Sequence, residues 1–207
     1  MKTGVVSGIA ASAKMSNASD YLPKSMPTPT EIKGPFYPIV AQKDKDFDLT
    51  LVEGRTASAK GETVIVEGVV TDTAGQAVSD ATVELWQACA SGKYNHPHDP
   101  NPAPSDPNFQ GWAVVPSGKK GGFRFKTVMP GSYPAAPDWM RPPHIHFKVS
   151  KRGYVELITQ MYFPGHPLNA KDLLLLRKSE EERALMTAEE LAGKLKIFKY
   201  RIVIQKA

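Results

Sequence analysis

RPPHIHFKV, residues Arg141–Val149, reads as a β-strand that carries two histidines, His144 and His146, two positions apart. Side chains at i and i+2 of a strand point to the same face. Both imidazoles therefore project into one space, while Ile145, Phe147 and Val149 project to the other side and can pack in a core. The pattern predicts a sheet with one face buried in a core and half of a metal site on the other. What supplies the second half decides the function.

Working outward, other segments carry strand signatures. Glu62–Thr71 is β-branched and partly alternating, and Ala81–Gln87 follows after a turn at residues 73–76. These two read as a hairpin, with Val83 and Leu85 on one face and Glu84 and Trp86 on the other. Trp112–Val115 reads as a short strand. Gly121–Val128 alternates Phe123, Phe125 and Thr127 against Arg124 and Lys126. Val155–Phe163 follows the histidine strand after a turn at Arg152 and Gly153, and Tyr200–Gln205 reads as the last strand. Helix is scarce: Lys171–Arg177 holds four consecutive leucines, and Thr187 and Glu190 have capping-box spacing. Residues 91–110 form a long loop of Pro, Asn, Asp and His, a length that in a compact domain is usually functional. Short strands with frequent turn signals point to an all-β protein: a β-sandwich core with long active-site loops and few short helices.

The chain has 207 residues, enough for one domain with a sizeable core. No apolar run approaches the roughly 20 residues of a membrane-spanning helix. Net charge is +5, with lysines and arginines scattered and no aromatic interleaving, which argues against nucleic acid as a partner and for weak attraction of a small anionic substrate. The single cysteine, Cys89, can form no internal disulfide and is read as a packed residue near a strand end. Residues 1–30 are rich in Ala, Ser, Thr and Pro and read as a flexible arm; residues 31–207 read as the catalytic domain. Gly4–Ala13 is too short and weak for a strong export signal, so the expected location is cytoplasmic, with export as the alternative.

Five histidines are present; His96, His98 and His166 lie in Pro-rich loops. Any of them could join His144 and His146 in a three-histidine zinc site of a hydrolase, and the residues alone leave that open. Further motifs narrow it. GPFYP (Gly34–Pro38), ATVELWQACASGKYNH (Ala81–His96), SDPNFQG (Ser105–Gly111), GGFRFKTVMPGSYP (Gly121–Pro134), RPPHIHF (Arg141–Phe147) and TQMYFPGHP (Thr159–Pro167) occur in this order. In order and spacing they resemble the intradiol ring-cleavage dioxygenases, most closely the protocatechuate 3,4-dioxygenase β-subunit type. The resemblance runs from about Gly34 to Gly165, most of the ordered chain.

The resemblance implies a non-haem Fe(III) ion held by Tyr94, Tyr133, His144 and His146. Tyr94 and His146 would stay in place near the plane, with Tyr133 and His144 axial. Phenolate is a hard anionic donor that suits a trivalent ion, and a bound cation drives off the phenol proton, whose ordinary pKa is near ~10. Taken singly, each tyrosine is more often a packing residue; the motifs single these two out. A small aromatic diol would bind through both oxygens, displacing Tyr133 and a hydroxide that take its protons. Dioxygen would then cleave the ring between the hydroxyl-bearing carbons, giving a cis,cis-muconate-type diacid. Arg141 would stabilise negative charge on the ring; a solvated arginine is the plain alternative, and Pro142 and Pro143 break the strand parity that would settle it. Gln160 matches a residue beside the bound oxygen, and a core glutamine that is only hydrogen-bonded is its alternative. A β-sandwich binding module without turnover is the competing function.

Two departures matter. Ala135 and Ala136 stand where protocatechuate enzymes usually carry a tryptophan, and Met140 stands where an aromatic often precedes the arginine. Both reshape the pocket mouth, so protocatechuate itself does not carry over as substrate. The chain also lacks the long helical N-terminal region of catechol and hydroxyquinol dioxygenases. The expected assembly is a homo-oligomer built on another surface, or a pairing with an α-type subunit.

Overall fold

The computed structural model describes residues 25–42 and 44–207. Most of the N-terminal arm, including the export-signal segment Gly4–Ala13, lies outside the described residues. Among the described residues, ten strands form two four-stranded sheets and a separate hairpin. The first sheet has the order β4 (Gly122–Val128), β1 (Thr63–Asp72), β10 (Lys196–Ile204), β9 (Glu189–Leu191). The second has the order β3 (Trp112–Pro116), β2 (Thr82–Trp86), β7 (His144–Ser150), β8 (Leu157–Tyr162). The hairpin is β5 (Tyr133–Ala136) with β6 (Trp139–Arg141).

The two sheets bury their apolar faces against each other. Val64, Val66, Phe123 and Phe125 of the first sheet share one core with Val83, Leu85, Ile145, Phe147 and Val149 of the second. Phe147 lies 5.9 Å from Phe123 and 5.4 Å from Tyr200, ring to ring. The alternation in β7 therefore sends Ile145, Phe147 and Val149 inward and leaves His144 and His146 on the outer face, as the sequence pattern predicts. The molecule is the expected all-β sandwich. Residues 25–30 lie along it: Thr28 N–H donates to the Val203 carbonyl, and Val203 N–H donates to Thr28 Oγ1.

Three local expectations are corrected. β1 and β2 are not a hairpin, because both edges of β1 are occupied, by β4 antiparallel and β10 parallel. The chain leaves the turn at 73–76, bridges back only at Ala77, and crosses to the other sheet past Asp80, at φ 52°. Thr187 opens no helix. It closes α1 (Glu180–Met186), the one α-helix among the described residues, which is started by a capping box between Ser179 and Glu182. Glu189–Leu191 pairs instead with the edge of β10, whose ladder outweighs the local capping signal. The leucine run is not one helix. Leu173 and Leu174 lie in a turn after the 3-10 turn Pro167–Lys171, and Leu175 and Leu176 begin a second one, Leu175–Arg177, with Leu174 and Leu175 buried and Leu173 and Leu176 exposed.

Candidate active site

The ladder of the second sheet builds the site. Trp86, His146 and Gln160 lie in one cross-strand row, and His144 lies beside Tyr162 in the next row along β7. His144 and His146 are buried, with ring centroids 4.9 Å apart. Trp86 stacks on His146 at 4.8 Å with the rings nearly parallel. His144 Nδ1 lies 2.8 Å from the Pro142 carbonyl. A carbonyl only accepts, so Nδ1 carries the hydrogen and Nε2 keeps its lone pair free. Burial, then the Arg141 charge, hold both imidazoles neutral; the pKa of His144 lies well below its ordinary value and that of His146 falls to about 3.

The tyrosines reach this face from two loops. Tyr94 stands in the long 91–110 loop, which is tightly built: Tyr94 N–H donates to Asp99 at 2.7 Å, and Lys93 Nζ donates to the carbonyls of Asp99 and Asn101. Tyr133 is the first residue of β5. Its ring meets Tyr94 edge-on at 5.4 Å and His144 at 5.7 Å. Tyr94 Oη lies 3.4 Å from His144 Nε2. Burial pushes both phenols up in pKa, Tyr94 strongly; the Arg141 charge opposes the rise in each. From GPFYP, Phe36 packs 4.9 Å from Tyr94 and 6.1 Å from Tyr133. Tyr37 packs edge-on to Trp86 and donates to Glu84 at 2.8 Å.

Arg141 is only 3% exposed, so the solvated reading does not hold. As the last residue of β6 it sits opposite Tyr133 in the hairpin, which the sequence parity argument did not reach. Its Nε donates to Asp172 Oδ1 at 2.8 Å, and Nη2 donates to Gln160 Oε1 at 2.7 Å and Tyr162 Oη at 3.1 Å. Gln160 Nε2 donates to the Ile32 carbonyl at 3.1 Å. Sequence reasoning missed Asp172, Trp139 and Tyr162. An acidic residue at the head of the leucine run was the available signal for Asp172. Tyr162, taken singly, reads as a packing residue.

The structure thus brings Tyr94, Tyr133, His144, His146, Arg141 and Gln160 together. It does not bring in the loop histidines. His96 lies beside His98 and Phe36, and His166 caps the 3-10 turn at Pro167–Lys171. Among the described residues, no cluster of three or more His, Cys, Asp or Glu is arranged to hold a metal, which leaves the zinc reading without a third ligand. Two neutral imidazoles and two phenols could hold a hard cation, which would take the place of the phenol protons. His146 Nδ1 is buried with no partner, a further sign that this ring is set for something besides protein hydrogen bonds. A cleft of about 610 Å³ lies on the first sheet among Arg124, Leu185 and Lys199 and holds none of these groups. No helix among the described residues is long and apolar enough to cross a membrane.

A family model described as Dioxygenase matches residues 32–205. A protocatechuate 3,4-dioxygenase beta chain from Burkholderia cepacia is 37% identical over 164 residues, covering 76% of this chain and 70% of that protein. A catechol 1,2-dioxygenase 1 from Acinetobacter lwoffii is 33% identical over 166 residues, 74% of this chain but only 51% of its own length, so the chain spans about half of that relative. Among solved structures, the dioxygenase domain of a dioxygenase carbohydrate-binding protein fusion from Streptomyces sp. SirexAA-E superposes with a TM-score of 0.67 at 26% identity. It covers 88% of this chain and 100% of that one.

Proposed function

The chain belongs to the intradiol ring-cleavage dioxygenase family, and from that premise we propose that it uses non-haem Fe(III) and dioxygen to open a catechol-type ring between its hydroxyl-bearing carbons. The product is a cis,cis-muconate-type diacid. The observation that carries the reading is the convergence of Tyr94, Tyr133, His144 and His146 in one buried cluster, with the His144 lone pair already set by the Pro142 carbonyl. Ferric iron held by these four side chains would supply the Lewis acidity that polarises the diol.

This chain's residues do the rest. His144 and His146 are held neutral and ready to donate. Tyr94 is anchored through the Asp99 loop and stays in place. Tyr133 begins a two-stranded hairpin whose next three residues are exposed, so it has room to swing away. Burial favours its protonated form, so its Oη is suited to take a proton from the incoming diol. Arg141 offers a fixed cation for charge that develops on the ring. Gln160, held between Arg141 and the Ile32 carbonyl, lines the side where oxygen would arrive. Phe36, Trp86 and Tyr162 wall off water, which strengthens each of these interactions. Ala135, Ala136 and the 44%-exposed Met140 leave a mouth without the bulk expected of a protocatechuate enzyme. A homo-oligomer, or a pairing with an α-type subunit, and a cytoplasmic setting go with this proposal. Residues 31–207 are its catalytic domain.

The iron-loaded protein should be red to burgundy from tyrosinate-to-Fe(III) charge transfer, and should consume oxygen with at least one member of a catechol, protocatechuate, hydroxyquinol and substituted-catechol panel. Tyr133→Phe should shift the visible band and slow turnover on the order of 10–100-fold. A colourless iron-replete protein would overturn the proposal.

A further inference from the structure

Arg141 is held in a way that catalysis by a simple cation would not need. Its guanidinium has five N–H donors in a rigid fork. Asp172 takes the Nε edge at 2.8 Å and reaches Nη2 at 3.4 Å. Gln160 and Tyr162 take the rest of Nη2. None of these bonds uses Nη1, and the fork's further hydrogen-bonding neighbour is Tyr133. Asp172 is itself fully buried and saturated: its oxygens also accept from Trp139 Nε1 at 3.1 Å, Tyr162 Oη at 3.0 Å and Leu175 N–H at 3.3 Å. One carboxylate thus ties together β6, β8 and the 3-10 turn Leu175–Arg177.

We infer that Asp172 is a positioning residue that aims Arg141, fixing two edges of the fork so that Nη1 alone is presented to the substrate ring beside Tyr133. The inference rests on the proposed ring-cleavage reading. It has an electrostatic corollary. The carboxylate cancels most of the arginine's long-range field, so Arg141 acts through one directed NH2 group rather than as a general attractor of anions. Affinity for the diol should then owe little to Asp172, whereas the step in which charge develops on the ring should depend on it.

The test is Asp172→Asn in the iron-loaded full-length protein. Iron content and resting colour should match the wild type. Affinity for a nitro-substituted catechol, titrated by its visible band without oxygen, should change less than about threefold, while kcat should fall roughly 10–100-fold. Asp172→Glu should recover part of kcat, because the carboxylate is kept. Equal kcat in a folded, iron-loaded Asp172→Asn protein would overturn the inference, as would a loss of activity that only tracks lost iron or weakened nitrocatechol binding. If leaving Arg141 as an unpaired buried cation prevents folding, Trp139→Phe removes the hydrogen bond to Asp172 Oδ1 and keeps an aromatic ring beside Arg141. It should lower kcat several-fold without changing nitrocatechol affinity, and an unchanged kcat there would also overturn the inference. A wild type that is colourless and inactive on every diol would fail the functional reading instead, so the two failures are distinguishable.

Discussion

Gly34 shows how closely single residues are set around the site. It adopts φ 74°, and a Cβ there would lie 3.3 Å from His146 Cε1. Gly34→Ala should therefore meet two costs: left-handed backbone strain of about 1–2 kcal/mol and displacement of His146. Its urea midpoint should fall and its bound iron per chain should drop below that of the wild type. If both are unchanged, the GPFYP segment does not set the His146 ring. At this scale the sequence was legible where chemistry follows parity. The placement of His144 and His146 on one outer face needs only the two-residue period of a strand. Asp172 was not legible, because its partner Arg141 lies on another element and nothing local marks the pair.

The 3-10 turn after β8 is held by a cap that depends on protonation. His166 caps the 3-10 turn Pro167–Lys171 by accepting from Leu168 N–H at 3.3 Å through Nδ1. Burial lowers its pKa from 6.5. The sign follows from proton uptake. Below the unfolded-state value the unfolded chain binds a proton that folded His166 resists, so the cap's contribution is full above pH 6.5 and is lost as pH falls towards the folded pKa. His166→Asn keeps a capping oxygen that does not titrate. Between about pH 7.5 and 5.5 the wild type should lose stability relative to this variant by up to about 1 kcal/mol, read from paired urea melts; parallel curves would show that the cap does not titrate. Elements were less legible than residues. The capping signal at Thr187 and Glu190 was outbid by the open edge of β10, and the true box at Ser179 and Glu182 lies eight residues earlier in the chain. The β1–β2 hairpin failed because nearness in sequence says nothing about which strand edges are already taken.

For the whole molecule, the core and the chemistry occupy opposite faces of the second sheet. The sandwich was legible because alternation in β4 and β7 demands a shared apolar layer; the strand order was not, because pairing between distant strands leaves no local trace. Gly68 marks the tightest seam of that order. A Cβ there would collide with the Tyr200 carbonyl and come within 2.6 Å of Phe123. Gly68→Ala should push β1 and β10 apart and cost about 1–3 kcal/mol, seen as a lower urea midpoint with the site residues untouched; an unchanged midpoint would show that the seam can yield. The same seam sets a timetable. β1 lies between β4 and β10 with Val64 opposite Lys196, so its second neighbour is made long after the strand itself. At roughly 5–20 residues per second, the nascent chain must carry β1 with one edge unpaired for several seconds. The sandwich, and the site on its back, can close only after β10 has been made.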